Sequence, residues 1–391
     1  MRMEIMLRRL VVIGSLALVL AADEVTGQDY PRVVGKTEIE LQYDYFYDAD
    51  LGRDRGSTRY ISDLFTTTEL GVALEVSPAW SIQTGLVLEP VRSPIRDRTF
   101  DDLGFYGEQL YLRYAASGFS LFAGKYNPLF GIAWNAAPGV YGTDFAEDYE
   151  VTEQIGLGAT YAFATEAMGA YSLEGSAFTA DTSVLSKSVF TKPRRTDTNV
   201  ERASSLSRAN GGVANTGRLN NAALSAAVDD VPSLEGLAAQ VAFLLRQAGR
   251  TESSDERGTA FGLTYEAELE TGVKIALLSE YAVLDDFSGA NQTARYFTYG
   301  GEINWDSGWL ASAIVTKRDL DPAAGFDDDG RKRLVTATIG YAFSEGHLQG
   351  LKASIGWKNE RSGASDTDSV GLQFTYDYDF ALVLRDLARK R

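Results

Sequence analysis

Residues 369–380 read SVGLQFTYDYDF, and every second side chain of this stretch is apolar or aromatic. Alternating side chains of a β-strand point to opposite faces, so a strand here has one apolar face and one polar face. A soluble β-sandwich would turn the apolar face towards its core. A transmembrane barrel would turn it towards lipid and line its lumen with the polar face. The remaining sequence has to distinguish these two folds.

Long amphipathic strands recur along the chain. Lys36–Tyr47 shows the same alternation, over a length that suits a tilted membrane strand of about nine to eleven residues better than a soluble strand of about five or six. Short turns alternate with long polar loops, and aromatic residues gather at strand ends, as at a lipid interface. The weakest strand pattern is 222–229, because alanine has little strand propensity. We predict an all-β fold, a closed antiparallel transmembrane β-barrel of about sixteen strands over residues 36–380.

The amino terminus has the features of a secretory signal peptide. Arginines in the first nine residues precede an apolar run from Leu10 to Ala22. This run is too short to span a bilayer, which needs about 20 residues, and small residues follow at a suitable cleavage point. We therefore predict a signal peptide at residues 1–21, followed by a periplasmic segment at 22–35.

The composition argues against several classes of function. The formal net charge of −17 argues against nucleic acid as a partner. The chain has no cysteine, which excludes disulfides and thiolate chemistry. Its single histidine, His347, falls in a predicted turn, so neither a histidine metal cluster nor a serine–histidine pair, as in a lipid hydrolase, is expected. We predict that the protein is not an enzyme and needs no cofactor.

At this point the chain resembles a Gram-negative porin, a sixteen-stranded diffusion channel of the outer membrane. The resemblance rests on the closing strand that ends at Phe380 and on residues 123–131, AGKYNPLFG, which open the third long loop. It implies an outer-membrane location, a loop folded into the barrel, a homotrimer, and outer-membrane lipid, small hydrophilic solutes and ions as partners. One departure from the porin pattern is residues 381–391, which we predict as a basic C-terminal extension.

The third long loop carries acidic side chains that could narrow a pore electrostatically. Bases on the neighbouring wall strands would face them, and the field between the two would select solutes by charge and size. The alternative is an ordinary solvated loop face. The predicted constriction consists of Asp144, Glu147, Asp148 and Glu150 on the loop, with Arg113 and Lys125 on the wall. Other inward positions in the predicted alternation are Glu38, Glu40, Asp44, Glu69, Arg246, Lys274, Glu280, Glu302, Lys352 and Lys358.

Two further alternatives remain open. The polar stretch 182–221 could plug the lumen, which would make the barrel a structural or surface-binding anchor instead of a channel. The run Asp327–Gly330 could hold a divalent cation, although a solvated loop tip is the preferred interpretation. The negative net charge favours cations over anions in an open pore.

Overall fold

The computed structural model describes residues 30–47, 60–94, 97–165, 167–192, 202–321, 330–362 and 365–384. The predicted signal peptide, the cluster 327–329 and most of the predicted C-terminal extension lie outside these residues. No helix in the described ranges is both long enough and apolar enough to cross a membrane.

Sixteen long strands form the wall of the molecule, and two short strands, β4 and β9, lie on connecting loops. The first nine strands are β1 (Arg32–Tyr47), β2 (Tyr60–Glu75), β3 (Trp80–Pro90), β4 (Arg98–Thr99), β5 (Leu103–Ala116), β6 (Phe119–Tyr126), β7 (Gln154–Thr165), β8 (Gly169–Ala180) and β9 (Phe190–Lys192). The others are β10 (Asn221–Asp229), β11 (Leu237–Arg246), β12 (Glu256–Leu269), β13 (Val273–Asp285), β14 (Ala294–Trp305), β15 (Trp309–Leu320), β16 (Arg331–Ala342), β17 (Leu351–Ser362) and β18 (Ser365–Val383).

Helices among the described residues are short and lie in connections. They are one α-helical turn, Ala133–Ala136, and the 3₁₀ turns Ala146–Tyr149, Val184–Ser186, Arg208–Asn210, Phe287–Gly289 and Gly346–Leu348.

The wall closes on itself through the first and last strands. β1 pairs with β2 on one side and with β18 on the other, and every other long strand pairs antiparallel with its two neighbours. The predicted closed sixteen-stranded barrel is confirmed. Closure gives every long strand a partner on each side, and an open sheet edge could not be satisfied by hydrocarbon. Pairing of β1 with β18 runs from Arg32 opposite Val383, so both strands continue past the predicted limits at Lys36 and Phe380.

The polar face of each strand turns inward, and the apolar face turns outward. On β1 the side chains of Leu41 and Tyr43 are exposed, whereas those of Gln42 and Asp44, which alternate with them, are buried. A soluble protein would show the opposite arrangement. Large apolar side chains are likewise exposed on β18, including Leu372. The outer surface therefore suits lipid contact, which excludes the soluble sandwich.

The two ends of the barrel differ in the length of their connections. Short turns join β2 to β3 and β5 to β6, while β6 to β7 and β8 to β10 are joined by long segments. The join between β17 and β18 is an exception, because Ser362 pairs with Ser365 and only two residues lie between them. At the short-turn end Trp80 packs against Tyr114, with ring centroids 4.9 Å apart, as expected for rings at a lipid interface.

One gap in the wall determines where the third long loop begins. β6 ends at Tyr126, so the residues of the neighbouring strand β5 that precede Leu110 have no partner on β6. Residues Leu103–Phe105 of β5 pair instead with β9, which comes from the segment after β8. The chain is therefore free to leave the wall after Tyr126, and a different part of the sequence covers the exposed edge.

Candidate functional site

Glu280 on β13 anchors the third long loop, which we define as residues 127–153. Its carboxylate accepts hydrogen bonds from the backbone N–H of Ile132 at 2.5 Å, from that of Ala133 at 3.1 Å, and from the hydroxyl of Tyr149. Glu280 is only 1% exposed. Burial, followed by the negative charge of Glu280, raises the pKa of Tyr149 well above its ordinary value, so the hydroxyl keeps its proton and donates. One buried carboxylate thus binds both the beginning and the end of the loop.

The loop packs against a stretch of wall whose side chains are small. Phe130 and Tyr149 are fully buried in this cluster. Glycines on β12 leave the space that the loop needs: a Cβ added at Gly258 would lie 2.6 Å from Phe130, and one at Gly262 would lie 2.5 Å from Ile132. The wall residues of the cluster include Ala223, Ala242, Ala260, Ala282 and Ala294. Small wall residues and large loop residues therefore interlock on this side of the barrel.

The middle of the loop reaches strands on another part of the wall. The backbone N–H of Val140 donates to Thr338 on β16 at 3.0 Å, and the hydroxyl of Tyr141 donates to Asp44 on β1 at 2.7 Å. A Cβ added at Gly356 on β17 would lie 2.6 Å from Val140, so this glycine leaves room for the loop. These contacts join the loop to strands distant in sequence from the ones that carry it.

Two acids of the predicted constriction form ion pairs with wall bases. Asp144 lies 2.7 Å from Lys358 on β17. Asp148 lies 2.7 Å from Arg318 on β15 and also accepts a hydrogen bond from Tyr296 at 3.0 Å. An acid on the loop does meet a base on the wall, but neither base is one of the two that we predicted for the constriction.

Glu147 and Glu150 have no basic partner among the described residues. Glu147 accepts a hydrogen bond from Thr143 at 2.7 Å, and burial raises the pKa of its carboxyl, with a further rise from the charge of Asp144. Burial raises the pKa of Glu150 to about 8, and the negative charges of nearby glutamates, Glu108 first among them, add to the shift. Glu150 therefore changes charge near neutral pH.

The structure places Lys125 and Arg113 away from these acids. Lys125 is buried and lies 2.7 Å from Glu153 and 3.0 Å from Asp181, two acids at the ends of the long loops. Arg113 faces a separate cavity of about 280 Å³, which Trp134 of the loop also lines. Neither base forms an ion pair with Asp144 or Asp148. Lys125 lies at the end of β6, where two long loops reach it, a proximity that strand alternation alone does not reveal.

Beside the loop lies a larger cavity of about 950 Å³, on the side formed by β1 to β3 and β16 to β18. Loop residues from Trp134 to Glu147 form one of its sides. Of the described residues, nine acidic side chains and three basic ones line it. In the described part of the chain, no three acidic or histidine side chains are grouped so that they could hold a metal ion.

The described part of the predicted plug segment 182–221 packs on the third long loop. The guanidinium of Arg202 pairs with Glu153 at 2.7 Å and lies 3.6 Å from the ring centre of Tyr106. Ala214 joins the buried cluster around Phe130. The segment therefore supports the loop at its end.

Our reading of the sequence missed the role of Glu280 as an anchor and missed Arg318 entirely. Glu280 was expected only as one of several lumen-facing acids. A usable signal was the small residues at inward positions of β10 to β14, such as Gly258 and Gly262, which leave space that only another part of the chain can fill.

No protein-family model matches the chain, and no curated protein was found to be similar to it. Solved structures do match. The outer membrane channel DcaP of Acinetobacter baumannii aligns with a TM-score of 0.54 at 12% identity, over 88% of this chain and 96% of that one. OccK9 (OpdG) of Pseudomonas aeruginosa aligns with a TM-score of 0.53 at 12% identity, over 89% and 98%.

A loop L8 deletion mutant of OmpT, an outer membrane protein of Vibrio cholerae, aligns with a TM-score of 0.52 at 10% identity, over 89% of this chain and 100% of that one. At such identities the similarity concerns the path of the backbone and not individual side chains. The chain has the fold of these Gram-negative outer-membrane proteins, the sixteen-stranded transmembrane barrel.

Proposed function

We propose that the protein is an outer-membrane channel through which small hydrophilic solutes and ions diffuse passively. The observation that carries the proposal is the polar cavity of about 950 Å³ beside the third long loop, inside a barrel whose outer face is apolar. A barrel wall of this size encloses more space than its own side chains fill. The similarity to the channel DcaP in fold supports the same function.

Purified protein in planar lipid bilayers tests this function directly. Stepwise, ohmic openings are the expected result. A silent bilayer, with protein that is folded and shifts its mobility on heating, would contradict the channel and favour a plugged barrel that acts as an anchor. The packing of Arg202 on Glu153 is the observation that favours this second candidate, because it fixes part of the 182–221 segment to the third long loop.

In the same proposal, the third long loop narrows the channel, with Asp144, Glu147, Asp148 and Glu150 at the constriction. Neutralising the first three together should shift the reversal potential in a salt gradient towards anions, because their partners on the wall then carry unbalanced positive charge. An unchanged reversal potential would remove these residues from the constriction.

Export and assembly belong to the proposal as well. Cleavage of the predicted signal peptide would give a mature chain that begins near residue 22, which intact-mass measurement of the outer-membrane protein would detect. The predicted homotrimer would appear as a cross-linked species of three times the mass of the chain.

A further inference from the structure

The bases that line the large cavity are all neutralised by acids of the same lining. Each of the three lies within an ion-pair distance of a carboxylate, so none presents a free positive charge to a solute. The pairs are Arg98 with Asp63 at 2.5 Å, Lys358 with Asp144 at 2.7 Å, and Lys332 with Glu360 at 3.5 Å.

Six acids of the lining remain after these pairs are removed. Glu40 and Asp44 accept hydrogen bonds only from uncharged side chains, and Glu69 has no ion pair within the described residues. Glu38 has one base nearby, Lys36, at 3.7 Å. The six are Glu38, Glu40, Asp44, Glu69, Glu89 and Glu147. The ionisable groups that remain in the described lining are therefore all carboxyls, which can carry only negative charge.

The barrel wall places two of these acids directly opposite each other. Glu38 on β1 pairs in register with Glu69 on β2. Like charges at opposed positions of neighbouring strands destabilise a sheet. An arrangement that opposes stability in this way is characteristic of functional positions.

Two basic side chains of the lining show how the cavity can bind an ammonium or a guanidinium group. The ammonium of Lys358 lies 4.4 Å from the ring centre of Tyr141 while it pairs with Asp144. The guanidinium of Arg98 lies 5.8 Å from the ring centre of Phe65. In both cases a carboxylate and an aromatic face hold an ammonium or a guanidinium group. Further aromatic surface, that of Trp134, lines the same cavity.

We propose that the solutes of this channel are small organic cations, namely amines and guanidines. The inference rests on the proposed channel function and names its solute class. An ammonium or guanidinium group would pass along the carboxyls of β1 and β2 that have no ion pair within the described residues, namely Glu40, Asp44 and Glu69, with its hydrocarbon part against the aromatic side chains. Within the described residues, anions meet no base of this lining that lacks an ion pair.

Reversal potentials of single channels in bilayers test the proposal. We expect potassium to be preferred over chloride in a potassium chloride gradient, and argininium to carry current when arginine hydrochloride replaces the potassium salt. Two unit charges about 4 Å apart in water attract strongly enough to change a local concentration about fivefold. The double variant E38Q/E69Q should therefore lower the ratio of cation to chloride permeability by about twofold to fivefold.

The control is E345Q, a change in the exposed turn between β16 and β17 that lies outside the cavity. It should leave the ratio unchanged. Removing a like-charge pair does not threaten folding, and the heat-dependent mobility of E38Q/E69Q checks this. Three results would overturn the solute class and leave the channel intact: a permeability ratio that favours chloride, an absence of argininium current, or an unchanged permeability ratio in E38Q/E69Q. A silent bilayer would overturn the channel itself.

Discussion

Replacing Glu280 should release the third long loop without unfolding the barrel. In Glu280→Ala the backbone N–H groups of Ile132 and Ala133 and the hydroxyl of Tyr149 all lose their acceptor. A buried polar group without a partner costs about 1–3 kcal/mol. Water that enters the cavity left by the side chain satisfies part of the loss, so the lower end of this range applies to each donor.

Three donors at the lower limit weaken loop docking by about 3 kcal/mol, which multiplies the undocked fraction of the loop about a hundredfold. Glu280→Gln should have a smaller effect, because the amide oxygen can still accept from Ala133 and Tyr149, while the NH2 group faces only the backbone N–H of Ile132. The barrel itself keeps its pairing, since β13 retains both neighbours.

Single-channel recording measures this effect. We expect larger or strongly fluctuating currents for Glu280→Ala, with unchanged heat-dependent mobility in gels. Glu302→Gln on β14 is the matched control, because it alters another inward carboxylate whose hydrogen-bond partner is Asn304 on the same strand. If Glu280→Ala conducts like the unaltered protein and shows no added current noise, the loop is held by other contacts and the reasoning is refuted.

Other predictions concern charge and packing in the lumen. Asp144→Asn leaves Lys358 without its ion pair, so the cation preference should fall, as measured by reversal potential. Because the pKa of Glu150 is raised to about 8, its carboxyl is neutral below that pH and charged above it, so cation preference should rise between about pH 7 and 9. Glu150→Gln should make the rise smaller; a rise of the same size in this variant would assign it to other groups. Gly262→Ala should displace the loop by collision with its side chains and increase conductance. Gly71→Ala should not, because its added Cβ would lie 3.9 Å from the nearest atom; equal conductance in the two variants would contradict the packing argument.

The poorly strand-forming segment 222–229 illustrates how local preference gives way to tertiary pairing. β10 forms from Asn221 to Asp229 because it pairs with β8 on one side and β11 on the other. Its alanines are also required, since Ala223 belongs to the cluster on which the third long loop packs. Low strand propensity was therefore a sign of close packing inside the barrel.

Ion pairs across the lumen could not be predicted from strand alternation. Both Lys358 and Lys125 are inward positions, yet of the two only Lys358 meets an acid of the predicted constriction, at Asp144. Lys125 meets Glu153 and Asp181, at the ends of long connections. The choice depends on the path of the loop, and contacts between residues far apart in the chain determine that path.

The sequence by itself determined the sixteen strands, their inward and outward faces and the closure of the barrel. Side-chain direction in a strand follows from local backbone geometry with a period of two, so a pattern of residues is enough to predict it. Only the tertiary structure decided that Glu280 anchors the loop, that Gly258 and Gly262 make room for it, and that the large polar cavity lies beside β1 and β2. Those features depend on the fit of one long loop against several distant strands, which no local pattern records.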